Sequence, residues 1–229
     1  MKNLLYIPLI FILAAFLYLI EEDKTITSEK FTSEKFYENG LLIKEKNNYL
    51  QIANYDFEVD FSESERKIFV KEKLLWNNLT SHKTNELHFH LYANAYKSNN
   101  TLFAKLYYLK PENKTEVEIK KILVDGKEKN LIYFQPDIYN PNDSTVAKII
   151  LDRNVNPNES IEIYFEYELK IPISVKRFGA GRGRNFFFIS QWFPKIGVFE
   201  NGKWICSQYH PYLNFYSDFG NYSAKIKVP

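Results

Sequence analysis

From Tyr55 the chain alternates. Tyr55, Phe57, Val59 and Phe61 are apolar, and Asp56, Glu58 and Asp60 stand between them. Successive side chains of a strand point to opposite faces, so this period of two predicts a half-buried strand. The polar stretch from Ser62 to Lys67 turns the chain. Ile68, Val70, Leu74 and Trp76 then continue an alternating face, interrupted by Glu72. Leu87, Phe89 and Leu91 alternate with His88 and His90. Val117 to Val124 leads into Asp125-Gly126, a hairpin dipeptide that tolerates positive φ. Ala147 to Leu151 is followed by a turn around Asn156-Pro157-Asn158. The clearest strand sets Ile161, Ile163, Phe165, Tyr167 and Leu169 against Glu162, Tyr164, Glu166 and Lys170. Val198-Phe199 and Trp204-Ile205 flank Glu200-Asn201-Gly202-Lys203, a second hairpin signal. Tyr222, Ala224, Ile226 and Val228 form one more strand. Many short strands and frequent turn residues, with no long 3.6-residue period after the first twenty residues, predict an all-β sandwich.

The first twenty residues are a separate unit. Leu4–Ile20 carries no charge and no strongly polar group. As a helix it spans roughly 25 Å, slightly short of a ~30 Å hydrocarbon core. Lys2 precedes it and Glu21-Glu22-Asp23 follow, so positive charge stays inside and the rest of the chain faces outward. No small-x-small cleavage site precedes Glu21, which favours one uncleaved transmembrane signal anchor over residues 1–22 against a cleaved signal peptide. Residues 23–50 read as a polar tether, with Thr-Ser-Glu-Lys-Phe twice in tandem at 27–31 and 32–36. Residues 51–229 are the folded domain, membrane-anchored and extracytoplasmic.

Composition narrows the chemistry. Thirty basic and 28 acidic residues leave a net charge of +2, which gives no electrostatic footprint for nucleic acid. Aromatic residues make up 17%, enough for a sizeable core. A single cysteine, Cys206, rules out an intrachain disulfide and any multi-cysteine metal site; a buried thiol is expected there. His88 and His90 share one strand face and could reach one metal ion, but no third ligand is apparent. Two half-exposed strand histidines are therefore expected, and no metal ligand is assigned. Neither H-E-x-x-H nor a G-x-S-x-G elbow occurs, so no catalytic residue is assigned. The glycine-rich run Gly179–Arg184 lacks the phosphate-loop ending and reads as a flexible surface loop.

Three stretches in order carry a family resemblance: YDFEVDF at 55–61, LHFHLYANAYK at 87–97, and residues 186–223. The last contains FFFISQWFPKIGVFENGKW and FYSDFGNYS, with KIKVP closing the chain. Together they resemble the N-terminal domain of bacterial zinc aminopeptidases of the aminopeptidase N (membrane alanyl aminopeptidase) family. The resemblance implies a twisted β-sandwich that precedes a thermolysin-like catalytic domain. It implies that zinc and the H-E-x-x-H and G-x-M-E-N motifs belong to that other domain, with no cofactor in this chain. The sequence is thus expected to be an amino-terminal piece, inactive alone, whose partners are a membrane, the catalytic domain and, in the complete enzyme, a peptide substrate. Family members place a glutamine or glutamate of this domain at the S1 subsite, and Ser190-Gln191 occupies the similar position. Gln191 is then a substrate-binding residue; the other reading is a strand-end glutamine bonded to backbone. Trp192-Phe193-Pro194-Lys195 departs from the eukaryotic pattern. A different class, a stand-alone binding or adhesion module gripping a glycan or protein, stays open beside the peptidase reading.

Overall fold

The computed structural model describes residues 52–137, 140–173, 178–183, 186–212 and 216–229. The proposed anchor and tether lie outside the described residues. Among the described residues, no helix is long and apolar enough to cross a membrane.

The described chain is mostly strand. In order these are β1 (Ala53–Ser62), β2 (Lys67–Asn77), β3 (Thr84–His90), β4 (Val117–Val124) and β5 (Lys127–Glu128). Next come β6 (Ile132–Tyr133), β7 (Val146–Val155), β8 (Ser160–Lys170), β9 (Phe178–Ala180) and β10 (Phe187–Ile189). The last four are β11 (Lys195–Ile196), β12 (Val198–Glu200), β13 (Lys203–Ile205) and β14 (Gly220–Lys227). A short helix, α1 (Leu102–Leu106), interrupts them and is capped by the Thr101 hydroxyl, which accepts from the Ala104 N–H. Six strands form one sheet in the order β14-β1-β2-β8-β4-β5, and four form a second in the order β11-β3-β7-β6.

The period of two accounts for the main sheet. Tyr55, Phe57 and Val59 are buried while Asp56, Glu58 and Asp60 are exposed, and β2 and β8 repeat the division over eleven residues each. Phe89 of β3 meets Phe165 of β8 edge to face, with ring centroids 5.2 Å apart. Both sheets therefore contribute to one hydrophobic core. The Asp125-Gly126 and Asn201-Gly202 turns take left-handed φ at both residues, as two-residue hairpins between twisted strands require.

Two expectations need correction. His88 and His90 are not half-exposed; they keep 9% and 2% of their surface. Leu87, Phe89 and Leu91 bury the other side of the same strand, so β3 is covered on both faces. Nor is the glycine-rich run simply a surface loop. Gly179 and Ala180 are buried within β9, which pairs with β10, and the Gly181 N–H donates to the Phe186 carbonyl at 2.7 Å.

The strand containing Tyr222 forms as expected, but its placement is non-local. It runs parallel to β1, at the edge of the larger sheet. Gly220 opens that contact, because a Cβ there would stand 2.5 Å from the Ala53 carbonyl oxygen. Only glycine permits so close a backbone approach.

Candidate functional site

Gln191 lies in the bend between β10 and β11, with φ at 55°. The other described non-glycine residues with positive φ are Arg66, Asp125, Asn158 and Asn201. Arg66, Asp125 and Asn201 sit in reversals between consecutive paired strands, and Asn158 sits in the turn from β7 to β8, which belong to different sheets. The strands on the two sides of Gln191, β10 and β11, likewise belong to different sheets. A left-handed conformation costs a residue with a Cβ about 1–2 kcal/mol, so the surroundings must hold it.

The holding groups are aromatic. Trp192 packs against Phe57 at 4.9 Å between ring centroids, and Phe193 packs edge-on against Tyr55 at 5.4 Å and Phe57 at 5.1 Å. Tyr222 of β14 stacks on Tyr55 at 5.0 Å with planes 2° apart. Beyond them the Ile196 N–H donates to the Tyr55 hydroxyl at 3.0 Å, tying β11 to the floor of the larger sheet. The backbone on the C-terminal side of Gln191 is therefore fixed by half-buried rings that pack on the buried Tyr55 and Phe57, and Gln191 itself is half-buried. Its carboxamide can both accept and donate, as binding a peptide amine or amide requires.

Beneath this cluster lies an ionisable group. Glu72 is fully buried on the inner side of β2, in register with Phe57 on one side and Phe165 on the other. The Tyr167 hydroxyl donates to its Oε2 at 3.1 Å, and Oε1 has no partner. Burial pushes the carboxyl well above the usual carboxylate range, and the Tyr167 bond opposes this only in part. Burial, then the neighbouring Glu72, raises the Tyr55 and Tyr167 phenols as well. Burial thus favours the neutral form of this enclosed core acid.

The histidine pair belongs to a separate layer. His88 Nε2 lies 2.9 Å from Glu86 Oε1, and its ring stacks on Trp204 at 5.4 Å. His90 rests against Tyr92 at 4.6 Å, with both ring nitrogens 3.5 Å from Cys206 Sγ. Burial pushes His90 down to about 3 and Cys206 up to about 12, leaving a neutral imidazole beside an intact thiol. A thiol in that state is a poor nucleophile. The structure thus brings His90 and Cys206 together across 116 residues, a contact with no local signal in the sequence. Among the described residues, no group of three or more His, Cys, Asp or Glu is arranged to hold a metal ion.

No protein-family model matches this sequence, and no curated protein matches it either. Solved structures give similarities of low degree. An M1 zinc metallopeptidase from Deinococcus radiodurans is 9% identical, with a TM-score of 0.34 over 55% of this chain and 22% of that one. A two-domain M1 zinc metallopeptidase mutant bound to L-arginine gives 9% and 0.35 over the same shares. Native yeast LTA4 hydrolase gives 10% and 0.30 over 58% of this chain and 18% of its own. This chain spans about a fifth of the length of those proteins.

Proposed function

We propose that the chain is the non-catalytic β-sandwich domain of a membrane-anchored zinc aminopeptidase-like protein. In that role it walls one side of the substrate cleft and braces a catalytic domain that supplies the zinc and cleaves residues from a peptide's N-terminus. The observation that carries this reading is the backbone of Gln191. A glutamine held at φ 55° between strands of different sheets, and followed by half-buried rings packed on the core, supports a side chain presented to a cleft. The ordered sequence resemblance supports the same role.

The test supplies the catalytic half in trans. The full chain is mixed with an aminopeptidase N-type catalytic domain, and turnover and co-sedimentation are measured together. Gln191→Ala is expected to raise KM by about tenfold, corresponding to about 1.4 kcal/mol of binding, with co-sedimentation unchanged. Equal losses of turnover and assembly would make Gln191 a structural residue. A chain that ignores the catalytic domain and stays monomeric would favour the independent binding module.

The anchor is tested separately. Full-length protein is expected to stay with membranes through alkaline carbonate, and protease outside intact cells should remove the domain. Soluble protein beginning near Glu21 would overturn the uncleaved anchor.

A further inference from the structure

The outward face of the six-stranded sheet carries an ordered row of charge. Read across the strands in register, Lys225 of β14 lies beside Glu58 of β1, which lies beside Lys71 of β2. Lys71 lies beside Glu166 of β8, and Glu166 beside Lys121 of β4. The sign changes at every step across five strands. One row further along, Lys227 of β14 lies beside Asp60 of β1, and its Nζ reaches Asp60 Oδ2 at 2.8 Å. Directly opposed unlike charges favour a pairing and like charges oppose it, so such a row specifies neighbours and register.

The row ends in lysines at an open edge. Among the described residues, no strand lies on the far side of β14. At the other edges of the two main sheets, β5, β11 and β6 are each two residues long, the short edges that soluble sheets use to avoid unwanted pairing. β14 is eight residues long and pairs with β1 in unbroken register. Edge lysines alone would be a protective device, but its other face contradicts that purpose. Tyr222, Ile226 and Val228 on the core-facing side remain 55%, 60% and 64% exposed, continuous with the Tyr55 and Phe193 rings. An exposed apolar flank beside an unpaired backbone edge is a site for an added strand.

We propose that β14 docks an extended segment of a partner polypeptide that carries Asp or Glu at alternate positions on one face and apolar side chains on the other. The acids would continue the row beside Lys225 and Lys227, and the apolar side chains would cover Tyr222 and Ile226. A second copy of this chain fits poorly. Edge to edge, it would bring either its own lysine column or its apolar column to Lys225 and Lys227, and neither supplies a carboxylate. The proposal rests on the sheet itself and stands whether or not the peptidase reading does.

The probe is a fluorescent peptide with the pattern of β1, YDFEVDF, titrated into the full-length chain in detergent against a detergent blank. Saturable binding is expected, at least tenfold tighter than for the charge-swapped YKFKVKF at low salt, with the gap narrowing as salt rises. The double variant Lys225→Glu/Lys227→Glu should reverse the preference, with its circular dichroism unchanged. Methylating the peptide's backbone amides at one parity of positions should abolish binding, and at the other parity should not, as a strand that donates on one edge requires. Equal affinity for the two peptides, or tolerance of methylation at both parities, would overturn the proposal. So would self-association of the full chain that Lys225→Glu abolishes, since that would make a second copy the occupant.

Discussion

Glu72→Gln is expected to make the stability–pH profile cross that of the parent protein: less stable or equal near pH 4.5, more stable at pH 9. Burial disfavours the Glu72 anion, so the folded protein holds this proton to higher pH than the unfolded chain does, and none of the groups acting on the carboxyl is cationic. The unfolded chain releases that proton near the ordinary carboxyl value. The stabilisation from this group is thus complete below that value. It declines by about 1.4 kcal/mol per pH unit as pH rises, until the folded carboxyl itself ionises. Glutamine has no proton to lose, so the alkaline decline should flatten by close to one proton. It also keeps an oxygen for the Tyr167 hydroxyl, while its amide nitrogen replaces the unpartnered Oε1 and lacks an acceptor. That defect costs about 1–3 kcal/mol and sets the deficit at low pH. Denaturant midpoints at pH 4.5, 7 and 9 measure the effect. Parallel profiles would mean that the carboxyl is ionised in the folded protein.

The opposite limb belongs to His90. Its imidazole is neutral in the fold and pushed down to about 3, chiefly by burial, then by the nearby Lys195. Between its ordinary value near 6.5 and about 3, the unfolded chain takes up a proton that the folded chain refuses, so stability falls with pH in that window. Across the whole window the loss reaches about 5 kcal/mol, at about 1.4 kcal/mol per pH unit. His90→Phe is expected to remove that dependence, and urea titrations between pH 4 and 6 should show a slope shallower by nearly one proton. His88→Phe should do less, because the Glu86 bond offsets part of the burial that lowers His88. An unchanged acid slope in His90→Phe would mean that water reaches the imidazole. The two variants tilt the profile in opposite senses, so a stability maximum between the limbs is itself expected.

These predictions draw on features the sequence reveals to different degrees. Glu72 was visible as the one charge interrupting the apolar face of β2, because a strand's parity is a local property. Its partner was not, since Tyr167 looks like any other inward residue of β8. His88 and His90 were assigned correctly to one face of β3, and their burial was missed. Alternation says which side chains share a face, but not whether a second layer covers that face. Here Trp204 and Cys206 provide the cover from more than 100 residues away. The same limit applies to Gln191, whose left-handed backbone depends on rings contributed by β1.

By itself, then, the sequence determined the longer strands, which side chains share a face on each, and the turns at Asp125-Gly126 and Asn201-Gly202. Each of these follows from backbone geometry within a few residues. Tertiary structure alone decided that β14 lies parallel to β1, that His90 faces Cys206, and that the outward acids and lysines form one alternating row. Each of those depends on which distant strand becomes a neighbour. That choice is made by the summed burial and pairing of whole faces, so no short stretch of chain encodes it.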